Sequence, residues 1–145
     1  MATTPKRVLI VDDDHDFRAV LSKRLSNEGY EVLESEDGSD CLIKAAVLRP
    51  HLILLDLFLP MEDGAVVCKT LKEHSATSSI PVIIITASPF EVKIDECRKN
   101  GARDYLIKGE VSGSEICERV REIIQEYVCQ SQESSEEANA VTRAI

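Results

Sequence analysis

Four short runs of consecutive apolar residues recur along this chain: VLIV at Val8–Val11, LILL at Leu52–Leu55, VIII at Val82–Ile85 and YLI at Tyr105–Ile107. Unbroken apolar runs rich in β-branched residues predict parallel strands covered by helices on both faces. Tyr30–Ser35 differs, mixing Tyr30, Val32 and Leu33 with Glu31 and Glu34, and this half-wet pattern places it at the periphery of the sheet. Between the runs the period becomes helical. The first helix carries Phe17, Val20, Leu21 and Leu25 on one face and stops at Gly29. The second covers Ser39–Leu48, and the third runs from Ala65 to Glu73 before a polar loop and Pro81. The fourth opens with Ser88 as N-cap and Pro89 at the first helical position, presents Phe90, Ile94 and Cys97, and ends at Gly101. The last starts at Ser112 with Glu115 in capping-box register and bears Ile116, Val120, Ile123 and Tyr127 on one stripe. Five βα units result, which is the pattern of a doubly wound, five-stranded parallel α/β sheet. From about Gln130 onward Ser and Glu dominate without aromatic residues, so the reading divides the chain into a domain at 1–128 and a polar, solvated tail at 129–145.

Composition narrows the picture without changing it. A chain of 145 residues buries about 68–70% of its unfolded surface, enough for one core and no second domain. Net charge is −9, from 26 acidic and 17 basic side chains, and no stripe of Lys and Arg is available to track a nucleic-acid backbone. Direct DNA binding is therefore not expected. The five cysteines (Cys41, Cys68, Cys97, Cys117, Cys129) are scattered and never in a Cys-x-x-Cys arrangement, so they read as reduced, buried small hydrophobes. No apolar stretch approaches membrane-spanning length, and a cytoplasmic location is expected.

The polar residues that end the apolar runs carry the chemistry. Asp12 and Asp13 follow the first, Asp56 the second, Thr86 the third and Lys108 the fourth. In a parallel α/β sheet the carboxyl ends of the strands open into one crevice, so these groups meet despite their separation in sequence. Two carboxylates ~4 Å apart repel by about 4 kcal/mol at an effective dielectric of 20, roughly three pKa units, and need a compensating cation. Mg²⁺ suits them, because it takes one or two carboxylates and leaves positions for phosphate oxygens. Asp14 reads simply as the cap of the next helix. An acid pair, a carboxylate nucleophile, a hydroxyl and an ammonium are together the parts of a phosphoryl-transfer site.

With these residues in place the chain resembles the receiver domains of two-component response regulators. The matching segments are VLIVDDD at Val8–Asp14, LLDLFLPMEDG at Leu54–Gly64, IIIITA at Ile83–Ala87 and GARDYLIK at Gly101–Lys108. The resemblance implies a flavodoxin-like sheet of order 2-1-3-4-5. It implies Asp56 as phosphoacceptor, served by a phosphohistidine on a histidine kinase or phosphotransfer protein. Asp13 and Asp56 would ligate Mg²⁺ directly, Asp12 through water, and the backbone carbonyl of Phe58 would complete the protein's share. Lys108 and Thr86 would each hold a phosphoryl oxygen. Thr86 and Tyr105 would form the switch; Tyr105 reads equally as an amphipathic strand residue with a wet hydroxyl. The protein would act as a signalling domain, an enzyme only toward its own phosphorylation and dephosphorylation. As a single-domain, chemotaxis-type regulator without an output domain, it would signal to a protein target through the face of the fourth helix, fifth strand and fifth helix.

Two residues depart from the usual pattern. Gly109 stands where proline commonly follows the lysine, so a cis peptide is not supported there and the loop is expected to be looser. Phe58 is large and apolar where many relatives are polar or smaller, which suggests that it shields the acyl phosphate from water. Two rival readings remain. Asp12-x-Asp14, Thr86 and Lys108 also resemble motifs of haloacid-dehalogenase-type phosphatases, but that reading needs a further acidic strand after Lys108 and leaves Asp56 unexplained. A receiver-like interaction module that no longer uses phosphate is the other.

Overall fold

The computed structural model describes residues 4–87 and 91–144, with side chains as far as residue 130. β1 (Arg7–Val11) leads into α1 (His15–Asn27), β2 (Glu31–Ser35) into α2 (Gly38–Leu48), and β3 (Leu52–Leu55) into a two-residue hairpin, β4 (Phe58–Leu59) and β5 (Glu62–Asp63). α3 (Gly64–Glu73), β6 (Val82–Thr86), α4 (Glu91–Lys99), β7 (Asp104–Ile107) and α5 (Gly113–Ala144) follow. The five-stranded sheet has the order β2-β1-β3-β6-β7, with every pairing parallel. The predicted order 2-1-3-4-5 is thus found, with β6 and β7 as its fourth and fifth strands.

Successive residues of the apolar strands feed opposite faces, which explains why their sequences are unbroken. Leu9, Val11, Ile53, Leu55, Val82 and Ile84 pack on one side, against α2, α3 and α4 through Cys41, Ala45, Cys68, Leu71, Ile94 and Cys97. Val8, Ile10, Leu52, Leu54, Ile83 and Ile85 pack on the other, against α1 and α5 through Leu21, Leu25, Val120, Ile123 and Ile124. β2, the edge strand, keeps Glu31 and Glu34 exposed, as its mixed pattern requires.

Helix boundaries follow local chemistry. Asp14 caps α1 by accepting from Phe17 N–H at 3.1 Å, and Ser112 accepts from Glu115 N–H at 3.1 Å ahead of α5. Ser88, Pro89 and Phe90, the expected start of the fourth helix, lie outside the described residues. Two expectations need correction. Val20 was placed on the buried stripe of α1 but is exposed, and Arg18 is buried in its stead beside Leu21 and Leu25. Cys129 is exposed, unlike the other four cysteines. Composition marks 129–145 as a polar tail and leaves its order open; α5 runs on through it to Ala144. From Ser114 on there is no Gly or Pro, and Glu, Gln, Ala and Arg are good helix formers, so nothing local interrupts it. Among the described residues, no helix is long and apolar enough to cross a membrane.

Candidate functional site

The site forms where β1, β3, β6 and β7 end. Asp12 follows β1 and is fully buried; its N–H donates to Ser35 O at 3.1 Å, and its Oδ1 accepts from Asp14 N–H at 2.9 Å. Asp56 follows β3 at 5% exposure, its N–H donating to Val11 O at 3.0 Å and its Oδ1 accepting from Phe58 N–H at 3.2 Å. Asp13 is exposed beside them. One carboxylate oxygen from each of Asp12, Asp13 and Asp56 lies within 4.8 Å of the others. An all-oxygen set of three carboxylates fits a hard divalent cation such as Mg²⁺. Thr86, fully buried, ends β6, and its carbonyl accepts from Lys108 N–H at 2.8 Å, which docks the end of β7 beside β6.

Lys108 links the acids. Its Nζ lies 2.5 Å from Asp12 Oδ2 and 3.3 Å from Asp56 Oδ2, and it sits 4.3 Å above the centre of the Phe17 ring. Burial pulls the ammonium pKa down, but the two carboxylates outweigh it and hold the value above that of an ordinary lysine. Asp56 moves the other way. Desolvation pushes its carboxyl up to about 6, with help from the charge of Asp12, against the opposing pull of Phe58 N–H and Lys108. A buried carboxylate with a raised pKa beside a lysine is the combination expected where chemistry is performed.

The lysine loop is a defined turn rather than a loose one. Glu110 N–H donates to Ile107 O at 3.1 Å, and Gly109 has φ +86 at the third position, the type II pattern that favours glycine. The described residues contain no cis peptide. Proline, with φ fixed near −65°, could not occupy this position. Gly109→Ala is therefore expected to lower stability by about 1 kcal/mol and Gly109→Pro by more, as read from denaturant midpoints.

The hairpin after Asp56 forms the outer wall. Asp63 caps α3, accepting from Ala65 N–H at 2.9 Å, and pairs with Lys93 of α4. Glu62 accepts from Gly38 N–H and from the Ser39 hydroxyl, tying the hairpin to the start of α2. With Asp13, Phe58, Pro60 and Met61 these residues line a cleft of ≈ 710 Å³ beside the acids, and the Phe58 side chain is about half-exposed at its rim. Gly64 packs beneath. A Cβ there would lie 2.4 Å from Asp56 O and 2.6 Å from Leu57 Cα, both backbone atoms. Gly64→Ala should cost about 1–3 kcal/mol, visible as a lower Tm, because backbone cannot give way as a side chain would.

All the site residues expected from sequence except Tyr105 therefore lie at one end of the sheet. Tyr105, earlier on β7, is half-buried against α4's side of the core, with the Arg98 guanidinium 4.7 Å from its ring centre. Sequence reasoning missed Phe17, Arg18, Glu62 and Lys93. Asp63 had a signal, the Asp-Gly pair before α3.

The family described as response regulator receiver domain matches residues 8–121. The DNA-binding response regulator MtrA of Mycolicibacterium smegmatis is 37% identical over 121 residues, covering 83% of this chain and 51% of that protein. The chain thus spans about half the length of such curated relatives. A response regulator of Chloroflexus aurantiacus has a crystal structure that aligns with TM-score 0.78 at 31% identity, covering 84% of this chain and 99% of that one. The receiver domain of a sensor histidine kinase from Pseudomonas aeruginosa, crystallised with magnesium in its active-site cleft, aligns with TM-score 0.73 at 26% identity, covering 86% and 98%.

Proposed function

The chain belongs to the response regulator receiver domain family, and from that premise we propose that Asp56 is its phosphoacceptor, working with Lys108, Thr86 and a Mg²⁺ ion held by Asp12, Asp13 and Asp56. The observation that carries this reading is the Lys108 ammonium bridging two buried carboxylates, with Asp13 alongside. An Asp56 oxygen attacks the phosphorus of a phosphohistidine; the new O–P bond forms as the N–P bond breaks, and the imidazole leaves and takes up a proton. Lys108 moves from its carboxylate partners onto a phosphoryl oxygen, and the Thr86 hydroxyl binds another. Mg²⁺, when bound, supplies charge neutralisation for the transferring group. The Phe58 carbonyl is proposed as a further ligand and Asp12 as one acting through water.

Signalling, rather than turnover of an external substrate, is the role of such domains. The chain would take its phosphoryl group from a histidine kinase or histidine phosphotransfer protein, in the cytoplasm. Tyr105 is proposed to follow the state of Thr86 on the neighbouring strand, and the Arg98 contact links its ring to α4. The readout surface would be α4, β7 and α5 of the 1–128 domain, with 129–145 as an appendage to it and no output domain required for signalling to a protein target. The phosphatase alternative loses its support in the fold, since α5 rather than an acidic strand follows β7. The test is intact mass after incubation with acetyl phosphate. One phosphoryl group should appear with Mg²⁺ and none with a chelator; no gain with Mg²⁺ would favour the phosphate-independent module. Phe58→Asn should shorten the phosphate lifetime, followed by mass after the donor is removed.

A further inference from the structure

We infer that Arg18 is a positioning residue for the cation site, fixing the backbone of Asp12 and through it the Asp12 carboxylate. This inference rests on the reading that Asp12, Asp13 and Asp56 hold a divalent cation. No other Lys or Arg among the described residues is buried; Arg18 is 6% exposed. Removing a guanidinium from water is costly unless its hydrogen bonds are met in full. Nη1 donates to Asp12 O at 2.6 Å, Nε to Glu34 Oε1 at 3.2 Å, and Nη2 lies 3.6 Å from Glu36 Oε1. The guanidinium is therefore a strut from the end of β2 to the turn that carries the acids.

Both backbone polar groups of Asp12 are engaged, its N–H donating to Ser35 O and its C=O accepting from Arg18. Its carboxylate is held separately by Asp14 N–H and Lys108. Without the strut the Asp12 carbonyl loses its Arg18 donor, and the turn holding Asp12 and Asp13 is free to shift relative to Asp56. Residues that orient metal ligands in this way commonly change metal affinity by 10–100-fold when removed.

Charge and geometry predict opposite signs here, which makes the inference testable. If Arg18 acted only as a nearby positive charge, its removal would lessen repulsion of the incoming cation and tighten binding. If it acts by positioning, removal loosens binding. The experiment measures Mg²⁺ affinity by titration calorimetry and Mn²⁺ affinity by electron paramagnetic resonance in wild type, Arg18→Met, Arg18→Lys and Val120→Ala. Arg18→Met should weaken both affinities by about tenfold or more, and the acetyl phosphate labelling rate should return to the wild-type level at saturating Mg²⁺. Arg18→Lys keeps the charge but not the fork, and should fall between the two. Should Arg18→Met not fold, as judged by circular dichroism, a weakened Arg18→Lys carries the result. Val120→Ala creates a small cavity on the remote α5 and should lower Tm with no change in affinity. Unchanged or tighter binding in both Arg18 variants, or equal weakening in Val120→Ala, would overturn the positioning role. Absence of binding by the wild type would instead overturn the cation site itself.

Discussion

Asp56→Asn is expected to end phosphorylation and at the same time to raise stability at pH 7 by on the order of 1–3 kcal/mol. The carboxyl is 5% exposed and its pKa is pushed from 3.8 up to about 6, first by desolvation. The folded state therefore holds the Asp56 proton more tightly than the unfolded state does. As pH rises from about 4 to about 6 the wild type must give up that proton from a poorly solvated site, and it loses stability across this window. Asparagine has no proton to lose. The two proteins should differ least below about pH 4 and most above about pH 6, with the variant higher in Tm by several degrees. Thermal scans from acid to neutral pH check this, and a variant less stable than wild type at pH 7 would contradict it.

Lys108→Met should slow phosphorylation by on the order of 10²–10³ at saturating Mg²⁺, because it removes the cation aimed at the developing charge on the phosphoryl oxygens. Its effect on stability also has a defined sign. Asp12 and Asp56 are both buried and both meet this ammonium, so the variant leaves two desolvated carboxylates without their cation. Removing one partner of a buried pair costs about 3–5 kcal/mol unless the remaining group neutralises itself. Here Asp56 can take a proton, so the loss should be small near pH 4 and grow as pH rises. Labelling rates with acetyl phosphate and denaturant unfolding at two pH values measure the two effects separately.

What was legible in the sequence was whatever repeats or ends abruptly. The buried strands announced themselves because both their faces are covered, and the groups at their ends were visible as the first polar residue after each run. Arg18 was not legible. An arginine in an amphipathic helix ordinarily belongs to the wet face, while Val20, the residue that is exposed, looked like the buried one. Only the proximity of the β2 end, a tertiary fact, reverses them. The β4–β5 hairpin escaped for a different reason: strands of two residues have no period to detect, and its turn depends on Met61 at φ +60, which sequence does not reveal. Gly109 was noticed as the absence of proline, yet its meaning lay in the sign of φ. The helical stretch beyond residue 128 was masked by composition, since Ser and Glu suit a solvated segment and a solvated helix alike.

The location of the label tests the account most directly. After incubation with acetyl phosphate and Mg²⁺, borohydride reduction converts an aspartyl phosphate to homoserine, which peptide sequencing by mass spectrometry places to a single residue. The account predicts conversion at Asp56 alone, lost in Asp56→Asn and absent when the metal is chelated. Conversion at Asp12, or undiminished labelling of Asp56→Asn, would contradict it.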